Sequence, residues 1–247
     1  MRLLLIDNSN TRTKFALASR EKLEDWRTTI NTPEISVGSL GKELADIEWD
    51  FSIVSSVVPA KAEILVDYLS EKPCHLLSHR SKLPIGIDYP KPEQIGADRL
   101  ANAAAAFEMF GGSAIVLDFG TAVTFDVLGP SGDGKSVYQG GVIAPGLASM
   151  TEGLARRTAL LPHIELEEPA QAIGKSTEQA MLAGAVFGYR GLVREIINQI
   201  RSELPGDAEI IATGGDATLI TRGLPEITHH CPQLTLEGLR LIANLNT

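Results

Sequence analysis

Leu4-Leu5-Ile6-Asp7-Asn8-Ser9-Asn10-Thr11 near the start of the chain and Ile115-Val116-Leu117-Asp118-Phe119-Gly120-Thr121 near its middle decide the fold. Each is an apolar run closed by an aspartate and a turn of small residues that ends in threonine. A second apolar run follows each, at 14–18 in the first case and 123–127 in the second. Short apolar runs broken by turn formers read as strands, so both stretches predict strand, polar turn, strand. The repeated pattern is an internal duplication, and it predicts two similar domains, 1–112 and 113–247, joined near Gly111.

Outward from these hairpins, strand-like and helix-like segments alternate, which is an α/β pattern. The β-branched run 51–58 stops at Pro59, and 61–69 carries apolar residues at helical spacing. Pro84, Pro90 and Pro92 punctuate a loop that feeds Gly96-Ala97-Asp98-Arg99, and the alanine-rich stretch 100–110 predicts a helix ended by Gly111-Gly112. Asp98 belongs to the first turn of that helix. A Gly/Ser-rich turn at 129–134 follows, then a short strand between Gly140-Gly141 and Pro145-Gly146. Ser176-Thr177-Glu178-Gln179 has the form of a capping box and opens a long helix with apolar residues from Leu182 to Ile200. A buried strand at 209–212 ends in Thr213-Gly214-Gly215, and 236–245 predicts a closing helix.

Composition narrows the function classes. The chain has 247 residues, 44% hydrophobic and 21% charged, enough for one large domain or two compact ones. A formal charge of -9 with no basic run excludes a general nucleic-acid partner, so any anionic ligand must be held by local groups. Cys74 and Cys231 lack metal or redox spacing and read as reduced thiols, as expected of a cytoplasmic protein. The apolar run at 3–6 is too short for a membrane span or signal segment, and Asp7 interrupts it. No membrane partner is expected.

The sequence lacks G-x-x-x-x-G-K-[ST], a G-x-G-x-x-G after a strand, and H-E-x-x-H. A site must therefore be built another way. An aspartate ending a strand is by itself an ordinary turn former, but here it occurs twice. Asp7 and Asp118 offer carboxylates for Mg²⁺ or its waters, and the turns after them offer N–H and hydroxyl donors for phosphate. Lys14 either turns a positive charge toward that phosphate or is a solvated edge residue. Asp98 and Arg99 suit acid/base work and carboxylate binding, because arginine presents a planar fork; the alternative is a capped helix start. Thr213-Gly214-Gly215 would let a flat base approach the backbone, or is simply a tight turn. His229-His230-Cys231 reads as structural or exposed, since adjacent side chains converge poorly on one metal.

The ordered set Asp7-Asn8-Ser9-Asn10-Thr11-Arg12-Thr13-Lys14, Gly96-Ala97-Asp98-Arg99, Asp118-Phe119-Gly120-Thr121, Gly140-Gly141-Val142-Ile143-Ala144-Pro145-Gly146-Leu147 and Thr213-Gly214-Gly215 resembles type III pantothenate kinase. The resemblance runs on to Leu234-Thr235-Leu236-Glu237-Gly238-Leu239. It implies two ribonuclease H-like domains of the actin-like ATPase (ASKHA) superfold, facing each other across a nucleotide cleft, and a homodimer. By the same resemblance Asp7 to Lys14 form the first phosphate loop, with Asp7 near Mg²⁺, directly or through water. Thr121 belongs to the second loop, and Asp118 matches the residue associated with a monovalent cation, K⁺ or NH₄⁺. Asp98 matches the general base; Tyr89, Gly96, Ala97 and Arg99 line the pantothenate pocket, Thr177 is a further substrate contact, and Gly214 and Gly215 lie on the adenine side.

One departure stands out: the family loop reads Asp-x-Gly-Asn-Thr, and Ser9 occupies the glycine position. Serine is strained there only if the backbone needs a positive φ; otherwise it adds a hydroxyl donor. The implied reaction is ATP-dependent phosphorylation of pantothenate. Two alternatives stay open on the residues alone: a kinase of the same superfold acting on another small acceptor, and a non-catalytic nucleotide-sensing regulator.

Overall fold

The computed structural model describes residues 1–132 and 135–247, so the last two positions of the expected 129–134 turn, Asp133 and Gly134, lie outside the described residues. In chain order the elements are β1 (Leu3–Asn8), β2 (Arg12–Ala18), β3 (Leu23–Asn31), α1 (Val37–Leu44), β4 (Phe51–Ser56), α2 (Pro59–Leu69), β5 (Cys74–Leu76), β6 (Gly86–Ile87) and α3 (Ala97–Phe110). They continue with β7 (Ala114–Phe119), β8 (Ala122–Pro130), β9 (Ser136–Pro145), α4 (Leu147–Arg157), α5 (Thr177–Glu203), β10 (Glu209–Gly214), α6 (Ala217–Thr221), β11 (His229–His230) and α7 (Leu234–Asn246). Two short 3-10 turns, Thr32–Glu34 and Pro92–Gln94, complete the set.

Two compact units result. The first gathers Met1–Gly111, Pro130–Gln139 and Gln233–Thr247; the second holds Gly112–Gly129 and Gly140–Pro232. The first break falls beside Gly111, whose φ of 64° ends α3. Two segments from beyond residue 112 nevertheless group with the first unit. For the last of them the cause is packing: α7 buries Leu236, Leu239, Ile242 and Ala243 in one core with Leu3, Leu5, Ala97, Ala101 and Ala104.

Within the first unit the sheet order is β3-β2-β1-β4-β5. β1 lies antiparallel to β2, with Asp7 opposite Lys14, and parallel to β4, with Asp7 opposite Ser55. Leu3, Leu4, Leu5 and Ile6 have no exposed surface, as a strand covered on both faces requires. The other sheet has six strands in the order β6-β9-β8-β7-β10-β11, and its run β9-β8-β7-β10-β11 repeats the arrangement. β7 is antiparallel to β8, with Asp118 opposite Thr124, and parallel to β10, with Asp118 opposite Thr213. The duplication read from two short motifs is therefore a duplication of strand order, and each motif aspartate sits at the same place in its sheet.

The long helix α5 starts as its sequence predicts, with one difference. Ser176 Oγ accepts from the Gln179 N–H at 3.2 Å, but the Gln179 side chain accepts from the Lys175 N–H at 2.8 Å instead of closing on Ser176. One stripe of α5, including Val186, Tyr189, Val193 and Ile197, is fully buried against β7, β8 and β10. No helix among the described residues is long and apolar enough to cross a membrane.

Arg190 on this helix is 6% exposed and satisfies its charge within the second unit. Its guanidinium bonds Glu168 Oε1 and Oε2 at 2.8 and 2.6 Å and donates to the Leu219 and Ile220 carbonyls. The hydrogen bond from Arg190 holds the Glu168 carboxyl below its ordinary range. A carboxylate depressed by folding stabilises the native state above its unfolded pKa, and the contribution disappears as pH falls through the folded value. Glu168→Gln should therefore lower the melting temperature at neutral pH and match the parent protein at strongly acid pH. Melting curves across that range check it; a constant difference at every pH contradicts the pairing.

Candidate functional site

In the first unit, the hairpin between β1 and β2 closes with the Ser9 N–H donating to the Arg12 carbonyl at 3.2 Å. Asp7 is 3% exposed at the end of β1; it accepts from Ser9 Oγ at 3.2 Å and from Lys14 Nζ at 3.4 Å. Among the described residues no position other than glycine has a positive φ, so Ser9 is unstrained and acts as a hydroxyl donor. The departure from the glycine pattern therefore leaves the turn intact. Asn10, Thr11, Arg12 and Lys14 are exposed around its tip.

Two residues of the expected phosphate loop face the other way. Asn8 is 1% exposed and Thr13 fully buried; Asn8 Nδ2 donates to Thr13 Oγ1 at 2.7 Å. Their side chains brace the hairpin from below and do not line its open face. The alternation of β2 explains this, since Thr13 and Lys14 are successive residues and point to opposite sides of the sheet.

Asp98 stands in the first turn of α3, half-buried, where the helix N-terminus favours a carboxylate. Its Oδ1 accepts from the Arg99 N–H at 2.8 Å. The Arg99 guanidinium lies 5.7 Å from the centre of the Tyr138 ring, and Tyr89 meets the same ring edge-on at 6.2 Å. Tyr89 and Arg99 thus meet on the Tyr138 ring, which the sequence reading does not name, and Asp98 neighbours Arg99 in the first turn of α3. The hinge of the cluster is β6, which pairs in parallel with Val137 and Tyr138. The Asp88 N–H donates to the Tyr138 carbonyl at 2.9 Å. A tyrosine after a Gly/Ser-rich turn carries no local signal of this.

In the second unit, β7 delivers Asp118 half-buried and the turn delivers Thr121 exposed. The Gly146 N–H bonds the Thr121 carbonyl at 3.1 Å and ties the turn to the start of α4. Gly214, at the end of β10, has φ 96°, and a side chain there would meet the Phe119 nitrogen at 2.5 Å and Asp118 Oδ1 at 2.6 Å. Only glycine fits, because the end of β10 packs directly on Phe119 and the Asp118 carboxylate. The Asp216 N–H bonds the Phe119 carbonyl at 3.2 Å, and burial pushes the Asp216 carboxyl up. Thr177, the first residue of α5, is exposed beside Met150, Leu154, Leu161 and Met181 in a shallow apolar groove. The His229-His230-Cys231 stretch does not gather into a metal set: His229 bonds Glu209 at 2.9 Å and Cys231 is a free thiol.

Among the described residues no three His, Cys, Asp or Glu side chains converge on a metal position. Mg²⁺ keeps waters and takes one or two carboxylates together with substrate phosphates, so a site for it needs no such set. Asp7 and Asp118 are the carboxylates at the two matching strand ends.

A family model described as type III pantothenate kinase matches residues 3–199. A protein of Akkermansia muciniphila named type III pantothenate kinase is 54% identical over 246 residues, covering 100% of both chains. One of Moorella thermoacetica with the same name is 36% identical over 99% of this chain and 100% of its own. Among solved structures, a Baf family protein from Campylobacter jejuni superposes with a TM-score of 0.62 at 18% identity, over 98% of this chain and 97% of its own. A polyphosphate/ATP-glucomannokinase from Arthrobacter gives 0.52 at 16% identity, over 100% and 99%. At these identities the two structures speak for the fold alone, that of the actin-like ATPases and sugar kinases.

Proposed function

We infer from one premise, that this chain belongs to the type III pantothenate kinase family, that it transfers the γ-phosphoryl group of ATP to the primary hydroxyl of pantothenate, the first step of coenzyme A biosynthesis. The observation that carries the reading is the start of α3, where the Asp98 carboxylate accepts from the Arg99 N–H and the Arg99 guanidinium lies over Tyr138. An acid/base group beside a carboxylate-binding fork is what a hydroxy acid acceptor needs.

Asp98 takes the proton from the attacking hydroxyl, and Arg99 holds the carboxylate of pantothenate so that the hydroxyl approaches in line. Tyr89, Gly96 and Ala97 shape the wall of that pocket. The hairpin from Asp7 to Lys14 receives the terminal phosphates on its exposed donors. Lys14, 46% exposed, pairs with the buried Asp7 carboxylate at 3.4 Å, and a phosphate arriving at the hairpin would compete for its charge. Thr121 serves the second phosphate loop, and Gly214 and Gly215 admit the adenine. Mg²⁺ at Asp7 and K⁺ or NH₄⁺ at Asp118 would neutralise phosphate charge. Phosphoryl transfer is loose, so positioning and charge balance do most of the work.

The reaction places the protein in the cytoplasm, where ATP is found. We assign the working form as a homodimer: the groove around Thr177 is apolar, and Leu154 within it is 42% exposed, which suits a second copy. Sedimentation at working concentration checks this, and a monomer that retains full activity sinks it.

The function itself is tested by incubating the purified protein with Mg²⁺, K⁺, ATP and pantothenate and following phosphopantothenate. Product at a useful rate, together with complementation of a strain lacking pantothenate kinase, is expected. A folded protein that binds nucleotide yet phosphorylates nothing, or prefers another acceptor, overturns it.

A further inference from the structure

The tip of the first hairpin rests on a chain of buried hydroxyls that begins outside it. Ser56 Oγ, at the end of β4, donates to Asn8 Oδ1 at 2.6 Å, and Asn8 Nδ2 donates to Thr13 Oγ1 at 2.7 Å. Thr13 Oγ1 and Thr32 Oγ1 are 2.9 Å apart, and Thr32 Oγ1 reaches the Ser9 carbonyl at 2.7 Å. The Thr32 hydroxyl proton goes to that carbonyl, so the Thr13 hydroxyl donates to Thr32. Each of the two threonine hydroxyls then has one acceptor. The Thr32 N–H also bonds the Thr11 carbonyl at 3.0 Å, so one residue grips the hairpin at both shoulders. Asn8, Thr13 and Thr32 are each no more than 2% exposed, where a hydroxyl without a partner is expensive.

We propose that Thr32 is a positioning residue for the phosphate-binding hairpin, holding the Ser9 carbonyl so that the Ser9–Thr11 peptide planes keep one orientation before the nucleotide arrives. The proposal rests on the reading of Asp7 to Lys14 as the phosphate loop. Thr32 touches no substrate; it acts through Ser9 and Thr11. Its place just past β3, beside Pro33, gives it the fixed backbone that such a grip needs. A loop free to turn its peptide planes must pay ordering entropy when the triphosphate binds, and a held loop does not.

Thr32→Val keeps the shape of the side chain and removes the hydroxyl; Thr32→Ser keeps the hydroxyl. For Thr32→Val the Kd for ADP with Mg²⁺ and the KM for ATP should rise about tenfold, the equivalent of one buried hydrogen bond. The KM for pantothenate should stay within about twofold, and Thr32→Ser should stay near the parent on all three. A folded Thr32→Val with parental ADP binding overturns the proposal, as does a Thr32→Ser as impaired as Thr32→Val, which would mean packing alone. Should Thr32→Val not fold, Ser56→Ala tests the far end of the same line: a rise of about threefold in the KM for ATP supports the proposal, and no change overturns it. Lys14→Ala separates the two readings. If it leaves ADP binding intact, the phosphate loop itself is misassigned; if it weakens binding while Thr32→Val does not, only the role of Thr32 falls.

Discussion

Asp98→Asn should yield a folded protein that binds ADP as the parent does and turns over about 10²–10⁴ times more slowly, the range lost with a general base. The substitution is close to isosteric. The hydrogen bond from the Arg99 N–H to Oδ1 survives, because an amide oxygen accepts as a carboxylate does. Arg99 and its contact with Tyr138 are untouched, so pantothenate is still held. What disappears is the capacity to take a proton, and the hydroxyl must then lose it to water. Steady-state turnover beside calorimetric ADP binding makes the distinction. Turnover near that of the parent protein removes Asp98 from its role; loss of ADP binding as well points to collapse of the first turn of α3.

Gly238→Ala should be strongly destabilising. The backbone of α7 crosses α3 at Gly238 so closely that a Cβ there would lie 2.5 Å from the Ala101 carbonyl carbon and 2.9 Å from its Cα, closer still to the carbonyl oxygen. Backbone cannot yield as a flexible side chain can, so the helices must part. Parting them opens the core shared by Ala97, Ala101, Ala104, Leu239 and Ile242 and stretches the buried Thr235–Asn102 hydrogen bond of 2.8 Å. Overpacking of this kind costs about 1–3 kcal/mol, and the polar bond at risk adds roughly 1 more. At about 2–4 °C per kcal/mol for a chain of this size, the melting temperature should fall by roughly 5–15 °C. Because the first turn of α3 carries Asp98 and Arg99, kcat should fall as well, even at temperatures where the variant stays folded. An unchanged melting temperature contradicts the close crossing.

Much of this was legible in the residues. The two strand–Asp–turn–strand motifs carry the duplication, because an apolar run closed by turn formers says both strand and strand end. The helix at 100–110 and the long one from Ser176 follow from alanine content and capping, although α3 starts three residues earlier, at Ala97. What escaped is non-local. β3 is polar and half-exposed, Leu-Glu-Asp-Trp-Arg-Thr-Thr-Ile-Asn, and is a strand because it pairs with β2. Thr32, Ser56 and Tyr138 have no motif around them, and their parts appear only when pairing brings them under the hairpin or against Arg99. Asn8 and Thr13 were grouped with the exposed loop because a motif records order along the chain and not the side of the sheet.

The return of α7 to the amino-terminal unit has a consequence for biogenesis. As the chain leaves the ribosome, β1 to β5 emerge with one flank of their core uncovered, and the segment that covers it is made only after the second unit. The second unit, whose strands and helices are contiguous but for one excursion, can settle first. The nascent polypeptide therefore exposes Leu3, Leu5 and the alanine face of α3 until α7 has been made, an interval in which a chaperone is the natural companion.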